Sequence, residues 1–337
     1  MRGRPSARST TWRRRRELPW RSSRALRRRL SRGSRGVRRR KMSLKVQEGY
    51  IPFAGYKTYY RIVGECDTGR LPILALHGGP GSAHYYVTSL DDIAERYGRA
   101  VIYYDQMSCG KSKSPALPDQ WSAEFFEDEL RVVRRELGLD RIHLWGHSWG
   151  GMLAMQYATH RPAGIASMVV ASGPASLDLW LEEANRLRGY LPIDMQKALV
   201  QADEDGDYER PEVKAASDEY YRRHVCKVSA EDEDPKLRRP KDEPGKECYH
   251  FMQGMSEFVV TGKLSHWDIT DDLHRISIPT LFTSGEADEC TPYIAKQVVD
   301  RIPGCEWHLF RGGTHCVHSE QPQAYNDVVE EFVERHE

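Results

Sequence analysis

The sequence lacks any long apolar run. None of its 337 residues belongs to a stretch that approaches the roughly 18–20 consecutive apolar residues of a membrane-spanning helix. This absence predicts a soluble, cytoplasmic protein that has no membrane partner.

Cysteine is also scarce. The chain has seven cysteines, an odd number, and no two of them form a Cys-x-x-Cys pair. That pattern argues against a disulfide framework and against the commonest zinc motifs, and it favours free thiols in a reducing compartment. We expect no metal and no cofactor.

Most of the chain has no excess of positive charge. Residues 1–41 hold 17 arginines and one lysine against the single acid Glu17. The other 296 residues carry 32 basic and 48 acidic side chains, a net charge of −16, although the whole chain is at +1. A body this acidic does not bind nucleic acid through general electrostatic attraction, so we expect no nucleic-acid partner.

The basic segment 1–41 lacks the apolar core of a secretory signal. We expect it to be a disordered, Arg/Ser-rich leader outside the fold. Three interpretations stay open: a mitochondrial transit peptide, which would place the protein in mitochondria, a basic tail, or untranslated sequence before a true start at Met42.

From about Val46 onward, short apolar strands alternate with helical patterns. A hairpin is predicted over 48–64 and helices over 122–137 and 150–160. Further strands are predicted at 73–76, 100–104, 142–145, 168–171, 280–284 and 307–310. This alternation predicts an α/β fold with a mostly parallel sheet and helices on both faces.

The periodicity changes between 176 and 262, where the chain is charged and helical in composition. We interpret 42–175 and 263–337 as two parts of one core, and 176–262 as a helical cap inserted between them. The alternative is a long solvated excursion. Against it, Trp180, Leu187, Tyr190, Leu191, Tyr220 and Tyr221 supply apolar surface for packing.

Residues 146–151, Gly-His-Ser-Trp-Gly-Gly, directly follow a predicted strand. A Gly-x-Ser-x-Gly at the end of a strand is the nucleophile elbow of α/β-hydrolases. Glycine is needed on both sides because the chain turns from strand to helix within a few residues. Ser148 is therefore the predicted nucleophile.

A serine hydroxyl needs a base, and the base needs an acid to orient it. In this fold the order along the chain is serine, acid, histidine. Asp288 and His315 each follow a late predicted strand, so they complete the predicted triad. The alternatives are a turn or helix-cap role for Asp288, and a metal cluster of His315 with Cys316 and His318, whose spacing is weak support for zinc.

The tetrahedral intermediate also needs donors for its negative oxygen. One should be the backbone N–H of Trp149, the residue after the nucleophile. The other should come from the loop at 77–81, His-Gly-Gly-Pro-Gly, where we select the N–H of Gly79.

From Met42 to its end the sequence resembles the proline iminopeptidase family of α/β-hydrolases. The resemblance is carried by residues 77–81, by Tyr-Asp-Gln at 104–106, by the elbow, by Glu-Phe at 257–258, and by Gly-Glu-Ala-Asp-Glu-Cys-Thr-Pro at 285–292. It implies removal of an N-terminal residue, preferably proline, from small peptides or amides. It also implies that Glu257 and Glu289 hold the substrate's α-ammonium group.

The chain departs from the family pattern at Met107-Ser108 and at Glu286-Ala287. If these residues border the pocket, the preference for proline changes. Two alternatives also stay open: an amino-acid amide hydrolase or esterase of specialised metabolism, and a small-molecule receptor built on the hydrolase fold.

Overall fold

The computed structural model describes residues 44–228, 232, 237 and 245–337. The predicted leader at 1–41 lies outside them. The strands are β1 (Val46–Phe53), β2 (Tyr56–Val63), β3 (Ile73–Leu76), β4 (Val101–Tyr104), β5 (Ile142–His147), β6 (Ile165–Ala171), β7 (Thr280–Gly285) and β8 (Glu306–Phe310).

The described residues also form α-helices. They are α1 (Asp91–Tyr97), α2 (Ala123–Glu136), α3 (Trp149–Thr159), α4 (Leu177–Arg188), α5 (Ile193–Asp205), α6 (Pro211–His224), α7 (Lys246–Met252), α8 (Pro292–Val299), α9 (Val317–Glu320) and α10 (Pro322–Glu334). In this part of the chain, none of them combines the length and apolar character required to span a bilayer.

All eight strands form one sheet in the order β1-β2-β4-β3-β5-β6-β7-β8. The pairs β1·β2 and β2·β4 are antiparallel, and the other pairs are parallel. The predicted hairpin is present, and its turn lies at Ala54-Gly55, where both residues have a positive φ. Such two-residue turns match the twist of antiparallel strands.

The central strands are apolar on both faces because both faces are covered. Leu74 and Leu76 of β3 belong to one core cluster, while Ile73 and Ala75 belong to a second. Alternate residues of a strand point to opposite faces, so the two clusters lie on opposite sides of the sheet. The predicted mostly parallel, doubly covered sheet is confirmed.

Helices α4 to α7 lie between β6 and β7 in the sequence, within the segment expected to be helical. Three of them share a small apolar cluster that contains Leu187, Leu199 and Tyr220. The expectation of packing was wrong for two of the named residues: Tyr221 is 44% exposed, and Tyr190 is 64% exposed. It stands just after α4, where the chain turns.

The topology brings four loops to one edge of the sheet. Strands β3, β5, β7 and β8 run parallel, so their carboxyl ends meet at that edge. The loops that follow carry the residues selected from the sequence, namely Gly79, Ser148, Asp288 and His315.

Candidate active site

Ser148 occupies a strained turn between β5 and α3. Its backbone angles are φ 54° and ψ −122°, which a residue with a Cβ rarely adopts. The residue is half-buried and lies at the N-terminal end of α3, a helix whose other residues are all buried. The surrounding core therefore holds the strain in place.

The glycines of the elbow are required by close backbone contacts. A Cβ on Gly146 would collide with the carbonyl oxygen of Gly150, and a Cβ on Gly150 would collide with that of Leu76. At Gly146 the strand β5 lies too close to the start of α3 for any side chain, and at Gly150 the helix lies too close to the end of β3, so the sharp turn depends on both glycines.

Asp288 and His315 are joined by a buried hydrogen bond. The Nδ1 of His315 lies 2.9 Å from Oδ1 of Asp288, and Cys290 N–H donates to the same oxygen over 2.7 Å. The other carboxylate oxygen accepts from Ser172 Oγ at 2.6 Å and Gly285 N at 3.2 Å. With Nδ1–H donated to Asp288, the Nε2 of His315 is left as the basic atom.

One cavity of about 310 Å³ joins the sequence-selected residues except Asp288, which lies behind His315. It is lined by Gly79, Ser148, Trp149, Glu257, Glu289 and His315, among others. No hydrogen bond between Ser148 Oγ and His315 is present among the described residues, and such bonds are often looser without substrate.

The two segments selected as oxyanion donors, the loop after β3 and the start of α3, are linked by the side chain of Gln106. Its Oε1 accepts from Trp149 Nε1 at 2.8 Å, and its Nε2 donates to the carbonyl of His77 at 3.0 Å. The Gln106 N–H donates to His77 Nε2 at 2.9 Å, so Nε2 is an acceptor and the proton of a neutral His77 ring lies on Nδ1. This Nδ1 is 2.9 Å from the carbonyl oxygen of Gly78. The Trp149 N–H lies in the first turn of α3, where N–H groups have no partner within the helix.

The orientation of Gly79 follows from its neighbour. The Gly78 carbonyl accepts from the His77 ring and, over 3.3 Å, from Ser82 N–H. Across a planar trans peptide, the C=O of Gly78 and the N–H of Gly79 point in opposite directions. Fixing the carbonyl therefore fixes the direction of the Gly79 N–H.

Two carboxylates share this cavity with Ser148. Glu257 Oε1 accepts from the hydroxyls of Tyr249, at 2.5 Å, and Tyr221, at 3.2 Å. Glu289 is only 4% exposed, its Oε1 lies 3.8 Å from His315 Nε2, and its Oε2 has no hydrogen-bond partner among the described residues. Burial, reinforced by the charges of Glu257 and Asp288, raises the pKa of Glu289 well above its ordinary value.

Known proteins resemble the chain over nearly all of this fold. Residues 72–322 match the family described as the alpha/beta hydrolase fold. A proline iminopeptidase of Clostridioides difficile is 45% identical over 291 residues, covering 86% of this chain and 99% of the relative. A second proline iminopeptidase, of Clostridium botulinum, is 43% identical over 295 residues, covering 87% of this chain and 100% of the relative. The crystal structure of the Mycobacterium smegmatis proline iminopeptidase matches with a TM-score of 0.78 and 37% identity, covering 86% of this chain and 98% of that one.

The chain belongs to the proline iminopeptidase family. The resemblance and the α/β-hydrolase fold class predicted from the sequence are thereby confirmed. The roles assigned to individual residues stay predictions.

The departures from the proline iminopeptidase pattern do not line the cavity. In the described part of the chain, Met107, Ser108, Glu286 and Ala287 are not among its lining residues. Met107 is fully buried, and its N–H donates to Glu129. These four residues therefore give no direct reason for an altered substrate preference.

Three possible metal ligands lie close together: side-chain atoms of His147, Cys316 and His318 are within 4.8 Å of one another. The sequence had suggested a similar cluster, but with His315 in place of His147. Both ring nitrogens of His147 are already within hydrogen-bond distance of Tyr86 and of the carbonyl of His315. A metal ion bound by His147 would therefore have to displace one of these contacts.

The loop that carries His315 is attached to the end of α6. The N–H of His315 donates to the carbonyl of His224 at 3.0 Å, and the N–H of Cys316 donates to that of Val225 at 2.8 Å. The hydroxyl of Thr314 also donates to the Val225 carbonyl, at 3.0 Å. The helical segment between β6 and β7 thus contacts the histidine loop directly through its backbone.

Sequence reasoning did not single out several residues that shape the site. Ser172 bonds Asp288, and Tyr221 and Tyr249 bond Glu257. No motif marks these side chains as parts of the site: Ser172 and Tyr221 lie 116 and 36 positions from their partners, and Tyr221 was expected only to pack. Tyr249 lies eight positions from Glu257, but no motif links the two residues. The motif at 104–106 includes Gln106 and indicated the family, but it did not indicate the hydrogen bond from Trp149 to Gln106.

Proposed function

We propose that this protein is a serine aminopeptidase that releases an N-terminal proline or another small residue from peptides or amides. The observation that carries the proposal is Glu289, a buried carboxylate with an unpartnered oxygen in the same cavity as Ser148 and His315. A buried acid in this state is stabilised by a cation, and a free N-terminus supplies one.

The reaction proceeds through an acyl-enzyme. His315 Nε2 takes the proton of Ser148 Oγ as that oxygen attacks the carbonyl carbon of the first residue. The N–H groups of Gly79 and Trp149 stabilise the resulting oxyanion. The C–N bond then breaks, the leaving amine takes the proton from His315, and water hydrolyses the ester by the same steps.

The acids determine which bond is cut. Glu289 and Glu257 bind the α-ammonium group, and Glu289 lies 3.8 Å from the catalytic nitrogen of His315. With the ammonium group held so near the base, only the first carbonyl of the substrate reaches Ser148. This arrangement favours an exopeptidase over an endopeptidase. We further propose that helices α4 to α7 form the cap over the site, because Tyr221, Tyr249 and Glu257 all come from that segment.

The test compares two substrates that differ only at the amine. The full chain should hydrolyse proline arylamide, while the N-acetylated compound should react about 10- to 100-fold more slowly, since a charged hydrogen bond of about 1.5–3 kcal/mol is lost. Ser148→Ala should abolish both activities, and Ser277→Ala, an exposed serine, should change neither. Equal rates on the two compounds would exclude the amine-binding role of Glu257 and Glu289.

A panel of amino-acid amides and esters in the same assay separates the alternatives. Faster turnover of simple amides or esters than of dipeptides would indicate a different substrate class on the same site. Ligand binding without turnover would favour a receptor instead.

A further inference from the structure

A chain of hydrogen bonds crosses the wall of the cavity from the loop after β3 to the loop after β8. The N–H of Gly78 donates to the hydroxyl of Tyr86 at 2.6 Å. That hydroxyl lies 2.9 Å from Nδ1 of His147, and Nε2 of His147 lies 3.0 Å from the carbonyl oxygen of His315. The chain therefore ends on the backbone of the candidate catalytic histidine.

The direction of each hydrogen bond is fixed by chemistry. The carbonyl of His315 only accepts, so Nε2 of His147 carries a proton. Burial, followed by the charges of His315 and His318, lowers the pKa of His147 well below its ordinary value, and the ring is neutral at pH 7. Its Nδ1 is then an acceptor, so Tyr86 donates to it and accepts from Gly78.

Packing holds the two side chains in this geometry. The His147 ring is 2% exposed, and its centroid lies 4.7 Å from that of His318 and 4.5 Å from that of His315. The Tyr86 ring packs edge-on against His147 at 5.4 Å. The His147 ring cannot rotate away without opening the core around it, and the half-buried Tyr86 ring is held by its contacts with His147 and Gly78.

The first partner in the chain belongs to the oxyanion loop. A Cβ added to Gly78 would lie 3.0 Å from Cβ of Ser148, so this peptide almost touches the nucleophile. Tyr86 holds the N–H of Gly78, on the residue next to the selected donor Gly79. The distance between the oxyanion loop and the His315 loop is therefore set by two side chains, Tyr86 and His147.

We propose that Tyr86 and His147 are positioning residues that hold the oxyanion loop and the histidine loop in register across Ser148. The proposal rests on the proposed hydrolase function. It also gives a role to His147, the variable residue before the nucleophile, which the Gly-x-Ser-x-Gly pattern leaves undefined. Neither residue is assigned to the amine site, so their loss should lower kcat and leave KM nearly unchanged.

Tyr86→Phe in the full chain tests the proposal, with Tyr104→Phe as the matched control. Tyr104 is also a buried tyrosine, but its hydroxyl has no hydrogen-bond partner among the described residues. We expect kcat on proline arylamide to fall about 10- to 100-fold in Tyr86→Phe, because small misplacements of reacting groups cost up to about 100-fold. KM should stay within about twofold, and Tyr104→Phe should match wild type.

A second pair of variants separates positioning from folding. His147→Gln keeps an N–H donor and should retain more kcat than His147→Leu. Combining Tyr86→Phe with His147→Leu should add little further loss, since both substitutions break the same chain of bonds. Additive losses, or a kcat for Tyr86→Phe within twofold of wild type at equal thermal stability, would overturn the proposal.

Labelling with a fluorophosphonate gives a readout that needs no peptide substrate. Ser148 Oγ attacks phosphorus, fluoride leaves, and the proton passes to His315. Slower labelling of Tyr86→Phe than of Tyr104→Phe supports the positioning role, even if the protein cleaves no arylamide. A failure to cleave arylamides contradicts only the proposed aminopeptidase function. A wild-type protein that neither cleaves nor labels contradicts both.

Discussion

Replacing Glu289 by glutamine should weaken catalysis and stabilise the fold at the same time. Glu289 is a fully buried carboxylate close to Glu257 and Asp288, and one of its oxygens is unpartnered among the described residues. A buried, unpartnered carboxylate lowers the stability of the fold, so its presence indicates a functional role, which we assign to binding the substrate's ammonium group. Glutamine has nearly the same shape and no charge.

The direction of the stability change follows from the raised pKa of Glu289. The folded protein binds this proton more tightly than the unfolded chain does, so the free energy of unfolding falls as pH rises from the ordinary glutamate pKa toward the raised one, by about 1.4 kcal/mol per pH unit. Glutamine removes that dependence. An unpaired buried polar group costs about 1–3 kcal/mol, so we expect a gain of that order at pH 7.

The assay is thermal unfolding of Glu289→Gln and wild type at pH 5, 7 and 9. A gain of 1 kcal/mol shifts Tm by about 2–4 °C in domains of roughly 150–250 residues, so the variant should melt several degrees higher at pH 7 and 9 and show less difference at pH 5. The control is Glu286→Gln, an exposed neighbour, which should leave Tm unchanged.

In the same preparations, kcat/KM on proline arylamide should fall about 10- to 100-fold in Glu289→Gln, since a charge-assisted bond of about 1.5–3 kcal/mol is lost. The rate on the N-acetylated substrate should not change. A lower Tm at every pH, or equal losses on both substrates, would refute the reasoning, because Glu289 would then be a structural acid.

Three further results are expected. Burial raises the pKa of Glu129 to about 8, so wild-type stability should fall between pH 5 and 8 by up to about 1.4 kcal/mol per pH unit, and urea unfolding of Glu129→Gln should show a flatter profile. Ser172→Ala removes a donor to Asp288 and should lower kcat about tenfold, with KM unchanged in steady-state assays. Gly146→Ala should prevent formation of the elbow, measured as lost fluorophosphonate labelling together with a Tm lowered by several degrees.

The elements that the sequence predicted well are those encoded locally. Helix α2 begins after Ser122, whose side chain accepts from Phe125 N–H, and it stops before Gly138 at φ 64°. The elbow was predictable because its Gly-x-Ser-x-Gly pattern lies within five residues, although Gly150 is constrained by the distant carbonyl of Leu76. The chain order of the triad then narrowed the choice of acid and histidine.

The residues that sequence reasoning missed act through distant partners. Tyr86 lies 61 positions from His147, and Ser172 lies 116 positions from Asp288. Nothing in the local pattern of either residue indicates such a contact, because it is created by the convergence of strand ends. Tyr190 shows the opposite error, since an aromatic side chain was taken as a sign of packing and proved to be exposed.

The backbone bonds from His224 and Val225 to the His315 loop bear on any attempt to redesign specificity. Exchanging the whole helical segment for that of a relative would change the backbone contacts that position His315, the general base, as well as the lining of the pocket. A chimera that keeps the native residues after α6 should preserve turnover, whereas one that replaces them would change selectivity and rate together.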